Sequence, residues 1–339
     1  MHNLRIGFFT KWPINSLESP LSIVYGDELY FRSISQFMKK DGLFESVKLY
    51  SPIRPPDKKI DCMIYINDTK PVLKYAKKHI LYLQNPYRPD SYKVLLKLRK
   101  YNFDGYLFIS KNLLQKHLRD GFKGRYLPFG VNTDIFYPHK FNKRYNFEIS
   151  FVGNDYKEKR LTKKYLLPLL NYNFGLFGKW GEPNTNFLGI KNKLLIDIKF
   201  SHRVNKVRLK QPKTINMLYY ICRGKISQDE VATLYSSSKI NLNYSAQDNI
   251  NYHVTTLRLL EIMACKGFAL SDTISPDKKF NSSFVYTSGG IDLIDKINYY
   301  LSHPQEKETY ISKGFDYVQK YARIEYRVKD LINYLNTIL

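Results

Sequence analysis

Twice along this chain, short apolar runs alternate with stretches of helical periodicity, and that alternation restricts the folds open to it. In the first half the strand-like runs are Arg5–Thr10, Val47–Tyr50, Cys62–Ile66, Ile80–Leu83 and Gly105–Ser110. Helical stretches are expected between them: Asp27–Lys40, with Leu29, Ile34 and Phe37 near helical spacing and Gly42 as its stop, then Lys70–Lys78, Tyr92–Lys100 and Lys111–Asp120. A second set of strands is expected at Phe147–Val152, Asn173–Phe177, Tyr219–Cys222, Ile240–Tyr244, Phe268–Leu270 and Ser283–Tyr286, with helices at Ser227–Ser237 and Thr255–Cys265. Strands that alternate with helices pair in parallel and are covered on both faces. The expected fold class is therefore α/β, with two doubly wound domains. A polar, basic link at Pro138–Asn146 separates the two sets, and 339 residues suit two cores better than one. The expected division is 1–140, 147–310, and closing helices over 311–339 that pack back toward the first domain. Ligands of such sheets bind beyond the carboxyl ends of the strands, which places the expected site in the cleft between the domains.

Composition narrows the function classes. Aromatic residues make up 15% of the chain, which excludes wholesale disorder. The net charge of +24 calls for an anionic partner: a nucleotide diphosphate, nucleic acid or an acidic membrane surface. Cys62, Cys222 and Cys265 are far apart, and neither they nor the seven histidines show metal-ligand spacing, so a reducing, cytoplasmic setting and no metal are expected. The apolar runs are too short to span a bilayer, and the start of the chain reads as a strand. Lys191–Lys213 holds eight Lys or Arg and one Asp. It is either a solvated basic loop or helix, or an insertion that faces an anionic acceptor, DNA or a membrane at whose inner face the protein would sit peripherally.

The helix at Thr255–Cys265 is apolar nearly all round, yet carries Arg258 and Glu261 three apart on one face. Either the two pair with each other, or both point into the cleft, since an unpaired buried charge costs several kcal/mol. In the second case Arg258, near the helix N-terminus, suits a diphosphate, and Glu261 suits a ribose diol. Gly153 ends an apolar strand and is followed by Lys157, Lys159 and Arg160, which can reach a phosphate. The loop lacks both the Walker and the GxGxxG spacing, which removes P-loop kinases and ordinary dinucleotide enzymes.

The order of these pieces resembles glycosyltransferases of the GT-B architecture, two Rossmann-like domains facing across a cleft. Leu127-Pro128-Phe129-Gly130-Val131-Asn132 with Phe136-Tyr137-Pro138 resembles the passage that closes their N-terminal domain. Phe151-Val152-Gly153-Asn154, Phe177-Gly178-Lys179-Trp180 and Arg223-Gly224-Lys225-Ile226-Ser227 resemble loops of their donor domain. Thr256-Leu257-Arg258-Leu259-Leu260-Glu261-Ile262-Met263-Ala264-Cys265-Lys266-Gly267 resembles the helix of the CgeB-like branch. The likeness lies mostly between Phe147 and about Leu335. Gly224-Lys225-Ile226 and the Thr256–Ala264 segment are also similar to the phage DNA β-glucosyltransferases. That similarity implies Ile226 on the base, Arg160 and Arg258 on the diphosphate and Glu261 on the ribose, with Gly153, Lys159, Lys225 and Thr256 in the same donor site.

The resemblance implies a metal-independent hexosyltransferase, with no cofactor, that moves sugar from a nucleotide-sugar, UDP-linked by the phage likeness. The acceptor expected is a hydroxyl of a cell-envelope glycan or lipid-linked precursor. The alternatives are a DNA-base glucosyltransferase and a non-catalytic basic protein that binds nucleic acid or a membrane surface. Retaining relatives carry a Glu eight residues before the ribose Glu; here His253 stands there, which favours inversion. An inverting enzyme needs a carboxylate base in the first domain. Asp27 at the start of the first helix is ranked first, then Asp90, which follows Gln84-Asn85 where the phage enzymes carry an Asp, then Asp68.

Overall fold

The computed structural model describes residues 4–12, 14–16, 18, 25–40, 42–84, 90–155, 157–180, 215–273, 275 and 278–339. Within them, every strand pairing is parallel, and the strands form two sheets. The first comprises β1 (Arg5–Phe9), β2 (Ser46–Tyr50), β3 (Ile60–Ile66), β4 (Ala76–Leu83), β5 (Gly105–Phe108) and β6 (Arg125–Tyr126), in the order β2-β1-β3-β4-β5-β6. The second comprises β7 (Ile149–Val152), β8 (Phe174–Phe177), β9 (Ile240–Asn243), β10 (Ala269–Ser271) and β11 (Val285–Tyr286), in the order β11-β10-β9-β7-β8. The fold is the expected α/β class with two doubly wound sheets. All seven residues of β3 are buried, which is what a central strand covered on both faces requires.

Helices cover the first sheet at α1 (Gly26–Lys40), α2 (Ser91–Arg99) and α3 (Lys111–Arg119). Asp90 caps α2 by accepting from Tyr92 N, and Ser110 caps α3 by accepting from Leu113 N. On the second sheet lie α4 (Lys159–Leu166), α5 (Ile215–Ile221), α6 (Gln228–Ser237), α7 (Gln247–Asn251), α8 (Leu257–Ala264), α9 (Lys278–Asn281), α10 (Ile291–Ser302) and α11 (Pro304–Tyr317). A capping box at Ser227 and Glu230 starts α6.

Two expected elements are corrected. Lys70–Lys78 is not a helix: a turn closed by Tyr75 N to Val72 O leads straight into β4, where Lys77 and Lys78 pair with Asp61 and Asp104. Those cross-strand carboxylates extend the strand backwards through residues whose composition reads as helical. Tyr219–Cys222 is not a strand: Tyr219 to Ile221 end α5, and only Cys222 keeps an extended bridge, to Leu176. The stretch Lys191–Lys213 lies outside the described residues.

The chain crosses between the sheets twice. Outward, Leu127–Glu148 runs from β6 to β7 and docks on α6 through His139 N to Ser236 Oγ and Asn142 N to Ser237 Oγ, each 3.0 Å. Returning, α11 packs on α8, a single π turn spans Val318–Ala322, and α12 (Ile324–Leu335) packs on α1. Val131 N donates to Ala322 O at 2.8 Å, and Ile324 N donates to Val131 O at 2.9 Å. One apolar core runs through this seam, from Phe8, Phe31 and Tyr82 to Ile324, Val328 and Leu335.

Candidate functional site

Three loops meet at the carboxyl end of β7 and β8. Gly153 N donates to Phe177 O at 2.9 Å, and Gly178 N donates to Gly224 O at 2.8 Å. Gly178 has φ +126°, and a Cβ there would collide with the Gly153 carbonyl, so only glycine lets these backbones close up. Cys222 Sγ donates to Gly178 O at 3.2 Å and pins the third loop. Ile226 is half-buried beside Val152, Phe147 and Phe177, an apolar wall next to these loops.

The α8 helix delivers its charged residues to the same place. Thr256 is its N-cap, and Thr256 Oγ1 donates to Asn243 Oδ1 at 2.8 Å. Arg258 Nη1 donates to the same Asn243 Oδ1 at 3.2 Å and to Tyr244 O at 3.4 Å, while the guanidinium lies 4.7 Å from the Phe151 ring centroid. A Cβ on Gly153 would sit 3.0 Å from Arg258 Nη2, so the glycine loop and the arginine are in contact. Glu261 makes no ion pair with Arg258 and no hydrogen bond among the described residues. Burial pushes its carboxyl up to about 7 against the pull of the Arg258 charge.

Lys225 and Arg160 lie to either side. Lys225 Nζ donates to Ser16 O at 3.0 Å, across from the second sheet to the loop after β1, and burial holds its pKa below the usual lysine value. Arg160 is exposed and donates to Gln247 Oε1 at 2.7 Å; Lys159 beside it in the first turn of α4 is exposed too. His253 is an exposed turn residue with φ 53°.

Opposite stand the three carboxylates of the first sheet. Asp27 is half-buried in the first turn of α1, and Asn67 Nδ2 donates to its Oδ2 at 3.3 Å. Asn67, in turn, is fixed at the end of β3 by φ 55° and by accepting from Gln84 N at 2.7 Å. Asp68 is ion-paired to Lys11 at 2.5 Å. Asp90, besides capping α2, accepts from Tyr252 Oη at 2.5 Å, and its carboxyl stays below the usual carboxylate range under the combined hydrogen bonds, despite some burial. Asp90 thus holds the sheets together, as does Ser91 Oγ, which donates to Asp248 Oδ2 at 2.6 Å.

Residue-type reasoning overlooked Asn243, the shared acceptor for Thr256 and Arg258. The available signal was two asparagines, Asn241 and Asn243, inside the apolar strand Ile240–Asn243; both are fully buried. It also overlooked Glu28, buried at 1% exposure, which accepts from Asn15 N, Ser16 N and Arg32 and so shapes the loop that meets Lys225.

The geometry can be set beside known proteins. Residues 215–333 match the family model described as glycosyl transferase-like. The whole chain superposes on sucrose-phosphate synthase from Thermosynechococcus elongatus with a TM-score of 0.66 at 12% identity, covering 98% of each chain. The chain has the GT-B fold, and part of its second half matches a glycosyl transferase-like family model. Anabaena HepE in complex with UDP and glucose shares this fold at a TM-score of 0.60 and 11% identity, over 98% of this chain and 100% of that one. A mutant of T4 phage BGT in complex with UDP-glucose does so at 0.58 and 15%, over 98% and 99%. A comparison with curated protein sequences finds no match. The matched segment contains Thr256, Arg258 and Glu261. Among the described residues there is no cluster of potential metal ligands and no helix long and apolar enough to cross a membrane.

Proposed function

We propose that this glycosyltransferase moves a sugar from a UDP-sugar to an acceptor hydroxyl with inversion at the anomeric carbon. Contact between the Arg258 guanidinium and the Gly153 loop, at the N-terminus of α8, carries the reading. It gathers a cation, free backbone N–H groups and an unpartnered carboxylate in one place, a combination suited to a ribose diphosphate. In this scheme Ile226 lies along the uracil, Glu261 accepts from the ribose hydroxyls, and Arg258, Lys225, Lys159 and Arg160 meet the phosphates. Residues 147–310 then take the donor, residues 1–140 the acceptor, and 311–339 return to the acceptor side.

The reaction balances without a cofactor. Asp27 removes the proton from the acceptor hydroxyl, that oxygen bonds to the anomeric carbon, and the bond from that carbon to the β-phosphate oxygen breaks. The charge that develops on the leaving diphosphate falls on Arg258 and the helix N-terminus. Asp27 is preferred because it stands in the first turn of α1, where the chain returns from the loop after β1, and Asn67 Nδ2 donates to it. A glycan or lipid-linked hydroxyl is the acceptor favoured by this scheme. Calorimetry with UDP, GDP, ADP, CMP and dTDP tests the donor side: UDP binding is expected, and no binding of any nucleotide would defeat the reading.

The charge of +24, together with the fold shared with T4 phage BGT, supports a second reading in which the acceptor is a DNA base. Duplex affinity that falls steeply with salt would favour it, and no duplex binding at about 50 mM salt would remove it.

A further inference from the structure

Beside the Arg258 cluster, a cavity of about 230 Å³ opens at the ends of β9, β10 and β11, walled by Leu161, Tyr165, Gln247 and Asp272 and rimmed by Arg160 and Lys164. Asp272 is 2% exposed. Its Oδ2 accepts from Ser245 N at 2.7 Å, but its Oδ1 is buried with no hydrogen-bond partner. Ser245 Oγ is close enough to favour the ionised acid, yet forms no well-aligned bond with it. Leaving a buried carboxylate oxygen unsatisfied is costly, and such a group in a cavity wall is expected to have a partner in the working protein. Burial raises its pKa to about 6, against the pull of the Ser245 amide and hydroxyl and of the Lys157 and Arg258 charges.

The cavity adjoins the proposed diphosphate site through consecutive residues. Arg258 Nη1 bonds Tyr244 O, and Asp272 bonds the next amide, Ser245 N. Tyr244 O and Ser245 N belong to one peptide unit, so the Arg258 guanidinium and the Asp272 carboxylate flank the same backbone link. Its size suits a single hexose ring, and its lining mixes hydroxyls, an amide and aromatic faces. Resting on the donor reading above, we propose that this cavity receives the sugar of the donor, with Asp272 Oδ1 accepting a hydrogen bond from one of its hydroxyls. Asp272 is then a residue that selects the sugar, distinct from those that hold the nucleotide.

The test compares UDP with UDP-glucose, UDP-galactose, UDP-N-acetylglucosamine and UDP-glucuronate by calorimetry, for the whole protein and two variants. Wild type is expected to bind one UDP-sugar more tightly than UDP. Asp272→Asn is expected to leave UDP affinity within about twofold and to weaken that UDP-sugar about tenfold or more, as loss of one hydrogen bond to a charged acceptor implies. Ser288→Phe, which fills the cavity from its rim, guards against a folding defect in the first variant and is expected to give the same split. If both folded variants keep the wild-type ratio of UDP-sugar to UDP affinity, or wild type gains nothing from any of the four sugars, the assignment of the cavity falls while the donor reading stands. If wild type binds no UDP, the donor reading falls and takes this one with it.

Discussion

Replacing Glu261 with glutamine separates what this residue does for folding from what it does for a ligand. Its folded pKa stands at about 7 against an ordinary 4.5. At ~1.4 kcal/mol per unit that difference amounts to about 3 kcal/mol, and because solvent reaches part of the side chain a fair expectation is about 2 kcal/mol. The sign follows from proton binding. The folded state keeps the proton to higher pH than the unfolded state, so stability falls as pH rises from about 4.5 and levels off above about 7. Glutamine cannot ionise and escapes that loss. Urea unfolding is expected to find Glu261→Gln equal to wild type near pH 4 and about 2 kcal/mol more stable near pH 8. The same variant is expected to bind UDP more weakly. Ribose hydroxyls favour the ionised acid, so wild-type affinity for UDP is expected to rise between about pH 6 and pH 7.5, while that of the variant stays flat. A stability difference that does not change with pH would refute the claim that an unpartnered buried carboxylate sits at this position.

Arg258→Ala is expected to weaken UDP binding by roughly 1.5–3 kcal/mol, read by calorimetry on the folded variant. Asp27→Asn is expected to leave UDP binding intact and to lower turnover about 10²–10⁴-fold in a sugar-release assay; near-normal turnover would pass the role to Asp68 or Asp90. Gly178→Ala forces a Cβ onto the Gly153 carbonyl and a strained φ, so thermal unfolding is expected to show a loss of about 1–3 kcal/mol together with weaker UDP binding.

Both sheets were legible in the sequence because a strand buried on both faces, such as Ile60–Ile66, must be almost wholly apolar. Lys70–Lys78 misled because two of its lysines, Lys77 and Lys78, are paired with Asp61 and Asp104, partners distant in sequence that no local pattern reveals. The contact of Arg258 with Gly153 followed a legible tension, two ionisable residues in an apolar helix, but Asn243, the acceptor that Arg258 shares with Thr256, did not. Nor did the engagement of Asp90 with Tyr252 and of Asp68 with Lys11, since the ranking of the three acids turns on long-range partners. Asp272 gave no sign at all: its orphaned oxygen is a property of the space around it.

The double crossing between the sheets has a mechanical consequence. Two chain segments, Leu127–Glu148 and the π turn at Val318–Ala322, connect the halves, and the ladder from Val131 to Ala322 and Ile324 lashes one to the other. A body joined to another at one point can swing in any direction, whereas two joined points leave rotation about the line between them. Opening of the cleft is thereby reduced to a single angular coordinate. Contacts away from that line, among them Lys225 to Ser16, Tyr252 to Asp90, Ser91 to Asp248 and Ser110 to Tyr252, resist such a rotation. Substrate entry and product release would then share one stroke, and its stiffness would be set by those cross-sheet hydrogen bonds together with the apolar core that runs through the seam.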